Sequence, residues 1–193
     1  MEYASEIAAV LGFSAIKNND KVGLILFSDD IEKFLAPKKG KSHILRLIRD
    51  TLFTKPKSAR TSIKKALDYL LKVAKRRSVV FLVSDFLDDN YWTSLKVVNR
   101  KHDLIGIRLV DPAEIRLPNI GLIKVKDSES GDSFWIDTSN SHDMDQLRQK
   151  NVYNQNKLNL RAKKIGFDLI TISIEKDFIE PILSFFKMRE KRI

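Results

Sequence analysis

The chain has 193 residues, 43% hydrophobic and 31% charged, a balance that suits one globular domain over residues 1–193 with a core of its own. It has no cysteine, which excludes disulfides, thiolate metal sites and thiol nucleophiles. Lys+Arg number 35 against 25 Asp+Glu, a net charge of +10 that favours polyanions or an acidic partner; with no apolar run near ~18 residues and no signal-peptide pattern, the expected setting is cytoplasmic, with no membrane segment.

In chain order, Glu2 to Lys17 predicts a helix with Ile7, Val10, Leu11, Ser14 and Ala15 near one stripe, ended by Asn18-Asn19-Asp20. Val22 to Phe27 predicts a buried strand. After the Ser28-Asp29-Asp30 turn, Ile31 to Leu35 alternates and reads as its antiparallel hairpin partner near an edge. Ile44, Leu45, Ile48 and Leu52 define the next helix, and residues 54–60 form a basic loop holding Pro56. Thr61 then opens a helix whose Ile63, Ala66, Leu67, Leu70, Leu71 and Ala74 recur at three and four residues, which makes Thr61 the expected N-cap.

The next stretch, Ser78-Val79-Val80-Phe81-Leu82-Val83-Ser84-Asp85, is short, unbroken and β-branched, as in a strand buried on both faces. Asp85 therefore falls just outside the carboxyl end of a sheet strand, where ligands collect in open α/β sheets. Its structural alternative is to open a turn or to cap the helix that follows. A helix through Trp92, Leu95 and Val98, a strand from Asp103 to Val110 and a break at Asp111-Pro112 follow. Alternation of strand and helix here predicts an α/β sheet with parallel members. Leu122 to Lys126 and Ser133 to Asp137, joined by residues 128–132, read as a hairpin. A polar helix at 143–164, a last strand at 167–173 and a final helix capped by Asp177 complete the chain.

Two stretches imitate sites. Asp137-Thr138-Ser139-Asn140-Ser141 spells an Asp-x-Ser-x-Ser metal loop, but its expected role is a turn in which Ser139, Asn140 or Ser141 caps the following helix. Gly40-Lys41-Ser42 resembles the end of a phosphate loop, yet Leu35 stands where the signature requires glycine. His43, His102 and His142 lie far apart without metal spacing and are expected to be solvated or capping. Basic residues concentrate over 38–65, broken only by Asp50, and Lys38, Lys39 and Lys41 are the expected polyanion contacts. Phe53 is the single aromatic residue among them, too few to stack successive bases, which weighs against nucleic acid.

The stretches Asn19-Asp20-Lys21-Val22-Gly23-Leu24-Ile25-Leu26-Phe27-Ser28, Pro37-Lys38-Lys39-Gly40-Lys41, Thr61 before Ala66-Leu67, and Val83-Ser84-Asp85-Phe86 together resemble the von Willebrand factor A-like proteins of domain-of-unknown-function family 58. Asp111-Pro112-Ala113-Glu114, Leu117-Pro118, Gly121 and Asp137-Thr138 resemble that family's later signature. The resemblance implies a Rossmann-like, mostly parallel sheet with helices on both faces, one antiparallel edge strand and a peripheral hairpin. It also implies Mg²⁺ or another divalent cation held at the carboxyl edge by an Asp-x-Ser-x-Ser loop, a Thr and an Asp. Thr61 matches the Thr and Asp85 the last Asp. The chain begins inside what resembles the family's first helix, so the domain is expected to be incomplete at its N-terminus. The metal site is then incomplete in this chain, and the strands at Val22 and Val79 are expected to close directly or to pair with a second copy.

Three functions fit these features. The resemblance implies a non-enzymatic interaction domain, an adaptor for MoxR-type AAA+ ATPases, and this is the leading expectation. A basic nucleic-acid-binding domain and a hydrolase using Asp85 with a metal are the alternatives, the latter without a nameable base or nucleophile.

Overall fold

In the computed structural model, which describes residues 2–112, 119–126 and 133–190, the chain divides into two units: 1–76 with 88–95, and 77–87 with 96–193. The Ala113-Glu114 and Leu117-Pro118 pairs and the 128–132 loop lie outside the described residues. Among those described, no helix is long and apolar enough to cross a membrane.

The first unit opens with α1 (Glu2–Lys17), which ends at Asn19 in the left-handed region, φ 57°. Ile7 is fully buried, whereas Ser14 faces water instead of the core; Ile16 packs there. Strand β1 (Val22–Phe27) pairs antiparallel with β2 (Ile31–Lys38), as the alternation predicts. β1 is only half-buried, because β2 is its sole strand partner among the described residues. Helix α2 (Lys41–Phe53) turns Ile44 and Leu47 onto Leu35, with Ile16, Val22, Leu24 and Ile48 around them. This corrects the expected stripe: Leu45 and Leu52 point into water, and Ile44, Leu47 and Thr51 make the inner face. Gly12 lets α1 approach α2, since a Cβ there would lie 2.8 Å from Cγ2 of Ile44.

Helix α3 (Ile63–Val73) buries Ile63, Ala66 and Leu67 and lies against β1 and β2. Its cap is Ser62, whose hydroxyl accepts from the Lys65 N–H at 3.4 Å, so the cap falls one residue beyond the expected Thr61. The Ile63 N–H donates to Oδ2 of Asp88 at 2.9 Å, satisfying another free donor of the first turn.

The second unit is built on a parallel sheet, β3 (Val79–Ser84), β4 (Asp103–Val110) and β7 (Asp168–Ser173), with β4 in the middle. Only this sheet is parallel; the described residues form three separate sheets instead of one. The central place of β4 explains its burial, with Leu104, Ile105 and Ile107 at most 2% exposed. Gly106 is required there, because a Cβ would meet Cζ of Phe167 at 2.5 Å and Cδ1 of Leu169 at 2.7 Å. β3 lies at the edge, which is why Val79 is 58% exposed and the expected burial on both faces does not occur. The described ladders pair β1 with β2 and β3 with β4, so direct pairing of β1 with β3 is absent from them.

Helix α4 (Trp92–Lys101) begins in the first unit and ends in the second. The hairpin β5 (Leu122–Lys126) and β6 (Ser133–Asp137) forms as predicted. Helices α5 (Ser141–Lys164) and α6 (Ile179–Glu190) pack on β7. Arg189 on α6 reaches Oδ1 of Asp103 at 2.8 Å and Oδ2 of Asp168 at 3.8 Å, tying the helix to the starts of two strands. The ion pair with Asp103 raises the Arg189 pKa further above its already high value.

Candidate functional site

In the second unit, β3 delivers Asp85 to the carboxyl end of the sheet, where the sequence places it. Oδ1 of Asp85 accepts from the Leu87 N–H at 3.1 Å and from the Ser84 hydroxyl at 3.3 Å. Asp85 therefore does open a turn, the structural role set beside its ligand role. Phe86 inside that turn has φ 61°, a left-handed conformation that costs a bulky residue energy. It is held by burial, 6% exposed, with its ring 6.2 Å from that of Phe167.

Arg108 is a participant the sequence analysis missed. Its register partner on β3 is Ser84, and its Nε donates to the main-chain carbonyl of Asp85 at 3.3 Å. Nη1 is buried and finds no hydrogen-bond partner among the described residues. A lone arginine inside Leu104-Ile105-Gly106-Ile107-Arg108-Leu109 was the available signal, because a cation in an apolar strand needs a reason.

Thr61 lies half-buried in the first unit, immediately before the Ser62 cap. Each unit by itself contributes one of the oxygens that the family resemblance assigns to a divalent ion, too few to replace the hydration shell of Mg²⁺. Asp85 also spends Oδ1 on its own turn and carries the Arg108 guanidinium on its carbonyl, a cation at the same edge. The described residues contain no group of three or more His, Asp or Glu side chains placed to hold a metal. These side chains alone do not fit the ion.

The cationic region of the first unit is better organised. Lys38 ends β2, Lys39 follows it and Lys41 begins α2, all exposed around Gly40, whose φ of 103° allows the tight turn. Neither α2 nor α3 has an acidic residue in its first turn. Lys41 on α2 and Lys64 and Lys65 on α3 thus add positive charge where the helix dipole is already positive, an arrangement that opposes stability and attracts anions. Further along α2, Asp50 is buried and gathers three cations: Lys33 Nζ at 2.9 Å, Arg49 Nη2 at 3.5 Å and Arg46 Nε at 3.7 Å. Burial alone would push its carboxyl up, but the Lys33 ammonium, aided by Arg49 and Arg46, holds it below the usual carboxylate range. Asp50, read in the sequence only as a break in a basic run, is the hub of that run.

Glu32 ties down the basic loop. Its Oε1 accepts from the Ser28 hydroxyl at 2.6 Å and the Lys57 N–H at 2.8 Å, and these bonds lower its pKa.

The two imitation stretches form local turns and helix starts. Oδ1 of Asp137 accepts from the backbone N–H and hydroxyl of Ser139, and Asn140 caps α5 by accepting from the His142 N–H. Gly40 receives the His43 and Ile44 N–H groups on its carbonyl as an ordinary helix start. His43 donates from Nε2 to the Val22 carbonyl at 2.9 Å. His102 departs from expectation: it is buried at 1% exposure, neither solvated nor capping, and both ring nitrogens lack a hydrogen-bond partner among the described residues. Burial, with Lys101 nearby in sequence, lowers its pKa.

Comparison with known proteins gives relatives without assigned functions. The chain is 22% identical to the uncharacterized protein Rv1480 of Mycobacterium tuberculosis over 98% of its own length, and equally to the uncharacterized protein Mb1516 of Mycobacterium bovis. It spans 61% of the length of each. To the uncharacterized protein MAV169 of Mycobacterium avium it is 25% identical over 81% of this chain and 94% of that protein. No solved structure matches significantly. The family model described as Protein of unknown function DUF58 matches residues 1–157, and the chain belongs to that family.

Proposed function

We propose that the chain is a non-enzymatic protein-interaction domain of the von Willebrand factor A-like type, an adaptor that works in the cytoplasm with a MoxR-type AAA+ ATPase. The observation that carries this reading is Asp85 at the carboxyl end of a parallel strand, in a turn held by buried Phe86, within a chain that belongs to the DUF58 family. A strained turn over-determined by packing presents a carboxylate at a fixed position. Because the relatives Rv1480 and Mb1516 are longer than this chain, metal dependence is assigned to the full-length protein, where a further loop would supply the missing oxygens. Among the described residues β2 is the sole strand partner of β1 and β4 that of β3, so each strand leaves an edge where such a segment, or a second copy, would add a strand.

The test is capture of a purified MoxR-type ATPase by the full-length protein with Mg²⁺ and with EDTA. Binding that requires Mg²⁺ and is lost in Asp85→Ala supports the reading. Equal capture under all conditions, or none, overturns it. Calorimetry on the present chain should show Mg²⁺ binding weak or absent; micromolar binding removed by Asp85→Ala would mean that these residues complete the site by themselves.

A further inference from the structure

The outer face of α2 combines two features that a solvated helix does not need together. Leu45, Arg49, Leu52 and Phe53 fall at i, i+4, i+7 and i+8, so they share one face, opposite the buried Ile44, Leu47 and Thr51. On that face Phe53 is 76% exposed, Leu45 49% and Leu52 43%. Single exposed apolar residues need no explanation, but three on one helix face form a patch. Between and beside them stand Arg46 and Arg49, whose side chains keep 56% and 66% of their surface open. Asp50, buried beneath, engages Nε of Arg46 and Nη2 of Arg49 and so restricts both guanidinium groups. One carboxylate held by Lys33, Arg46 and Arg49 leaves the cluster positive.

We propose that the outer face of α2 is a docking surface for an acidic amphipathic helix of a partner protein, Leu45, Leu52 and Phe53 receiving its apolar side chains and Arg46 and Arg49 its carboxylates. Charge complementarity selects this occupant. Arginine forks restrained by a buried carboxylate are prepared for bidentate carboxylate pairing, with less rotamer freedom to lose on binding. A second copy of the chain presents the same positive face, so a two-fold contact through it would set arginine against arginine. A lipid surface is disfavoured because the cations are interleaved with the apolar side chains. Immersing Leu45 and Phe53 would carry Arg49 with them, whereas interfacial helices segregate charge from the apolar face. A nucleic acid would use the cations and leave Leu45 and Leu52 without a partner. The surface deepens the interaction-domain reading and rests on it, but lies on α2 and not at Asp85.

Fluorescence anisotropy with three labelled probes tests the proposal: a synthetic helix carrying Glu and Leu at helical spacing, a scrambled peptide of the same composition, and vesicles containing phosphatidylserine. The patterned helix should bind the chain, and the scrambled peptide should bind roughly tenfold or more weakly. Phe53→Ser and Leu45→Ser, both at exposed positions that do not support the fold, should each weaken the patterned helix about tenfold, and Arg46→Glu with Arg49→Glu should abolish its binding. Asp85→Ala and EDTA should leave it unchanged, which separates failure here from failure of the metal-dependent ATPase reading. Equal binding of patterned and scrambled peptides, insensitivity to Phe53→Ser and Leu45→Ser, or binding to vesicles alone would overturn the proposal.

Discussion

The two units use the same ionic chemistry in opposite senses. In the first, one buried carboxylate, Asp50, holds three cations, of which Arg46 and Arg49 remain more than half exposed and Lys33 about one-third. In the second, one cation, Arg189, holds two carboxylates, Asp103 and Asp168, each about one-third exposed. The first arrangement leaves an excess of positive charge at the surface and restrains arginines for an incoming anion. The second fastens α6 to the sheet. An ion-pair cluster therefore reports function only when the charge it leaves over faces solvent.

The sharpest test of the second unit as a structural body is Gly106→Val. Two methyl-bearing branches would be forced into Phe167 and Leu169 on the central strand, and unfolding free energy should fall by about 3 kcal/mol. Urea denaturation would measure it, and a loss under about 1 kcal/mol would mean that the sheet is loosely packed there.

Asp50→Ala comes next. It removes the buried partner of three cations, and a loss of about 2 kcal/mol is expected, below the figure for a fully buried pair because Arg46 and Arg49 are more than half exposed. If Asp50 also restrains Arg46 and Arg49, Asp50→Asn should weaken acidic-peptide binding while circular dichroism stays native. Arg189→Ala should cost only about 1 kcal/mol, since its partners are partly exposed, seen as a melting shift of about 2–4 °C. It should leave peptide binding untouched. An effect on binding as large as that of Asp50→Asn would erase the contrast between the units.

Acidification should separate the units by pH. His102 has a lowered folded pKa, so the unfolded chain binds its proton first. Its contribution is complete above the ordinary imidazole pKa of about 6.5 and is lost as pH falls from there toward the folded value. Asp50 has a lowered carboxyl pKa, so its contribution is present above the ordinary aspartate range and is lost as pH falls through the folded value. Stability should therefore decline in two stages, and His102→Gln should remove the upper one. The smallest effect is expected at half-buried Glu32: Glu32→Ala frees the Lys57 N–H, and limited trypsin digestion should cut the 54–60 loop faster.

Periodicity and turn chemistry were enough to place α1, the β1–β2 hairpin, β4, the β5–β6 hairpin and the Asp177 start of α6, where the Ile179 N–H donates to Asp177 at 2.8 Å. These features are local, since a hydrophobic repeat or a capping side chain acts within a few residues. Lys38, Lys39 and Lys41 were readable as exposed cations for the same reason. Which face of α2 turns inward was not readable, because Leu45 and Leu52 are as apolar as Ile44 and Leu47; the position of Leu35 on β2 decides between the two stripes. Nor could composition show β3 at an edge, Asp50 beneath three cations, His102 buried in the interior or Arg108 at the carbonyl of Asp85. Each depends on partners distant in sequence, and only the tertiary structure brings them within bonding distance.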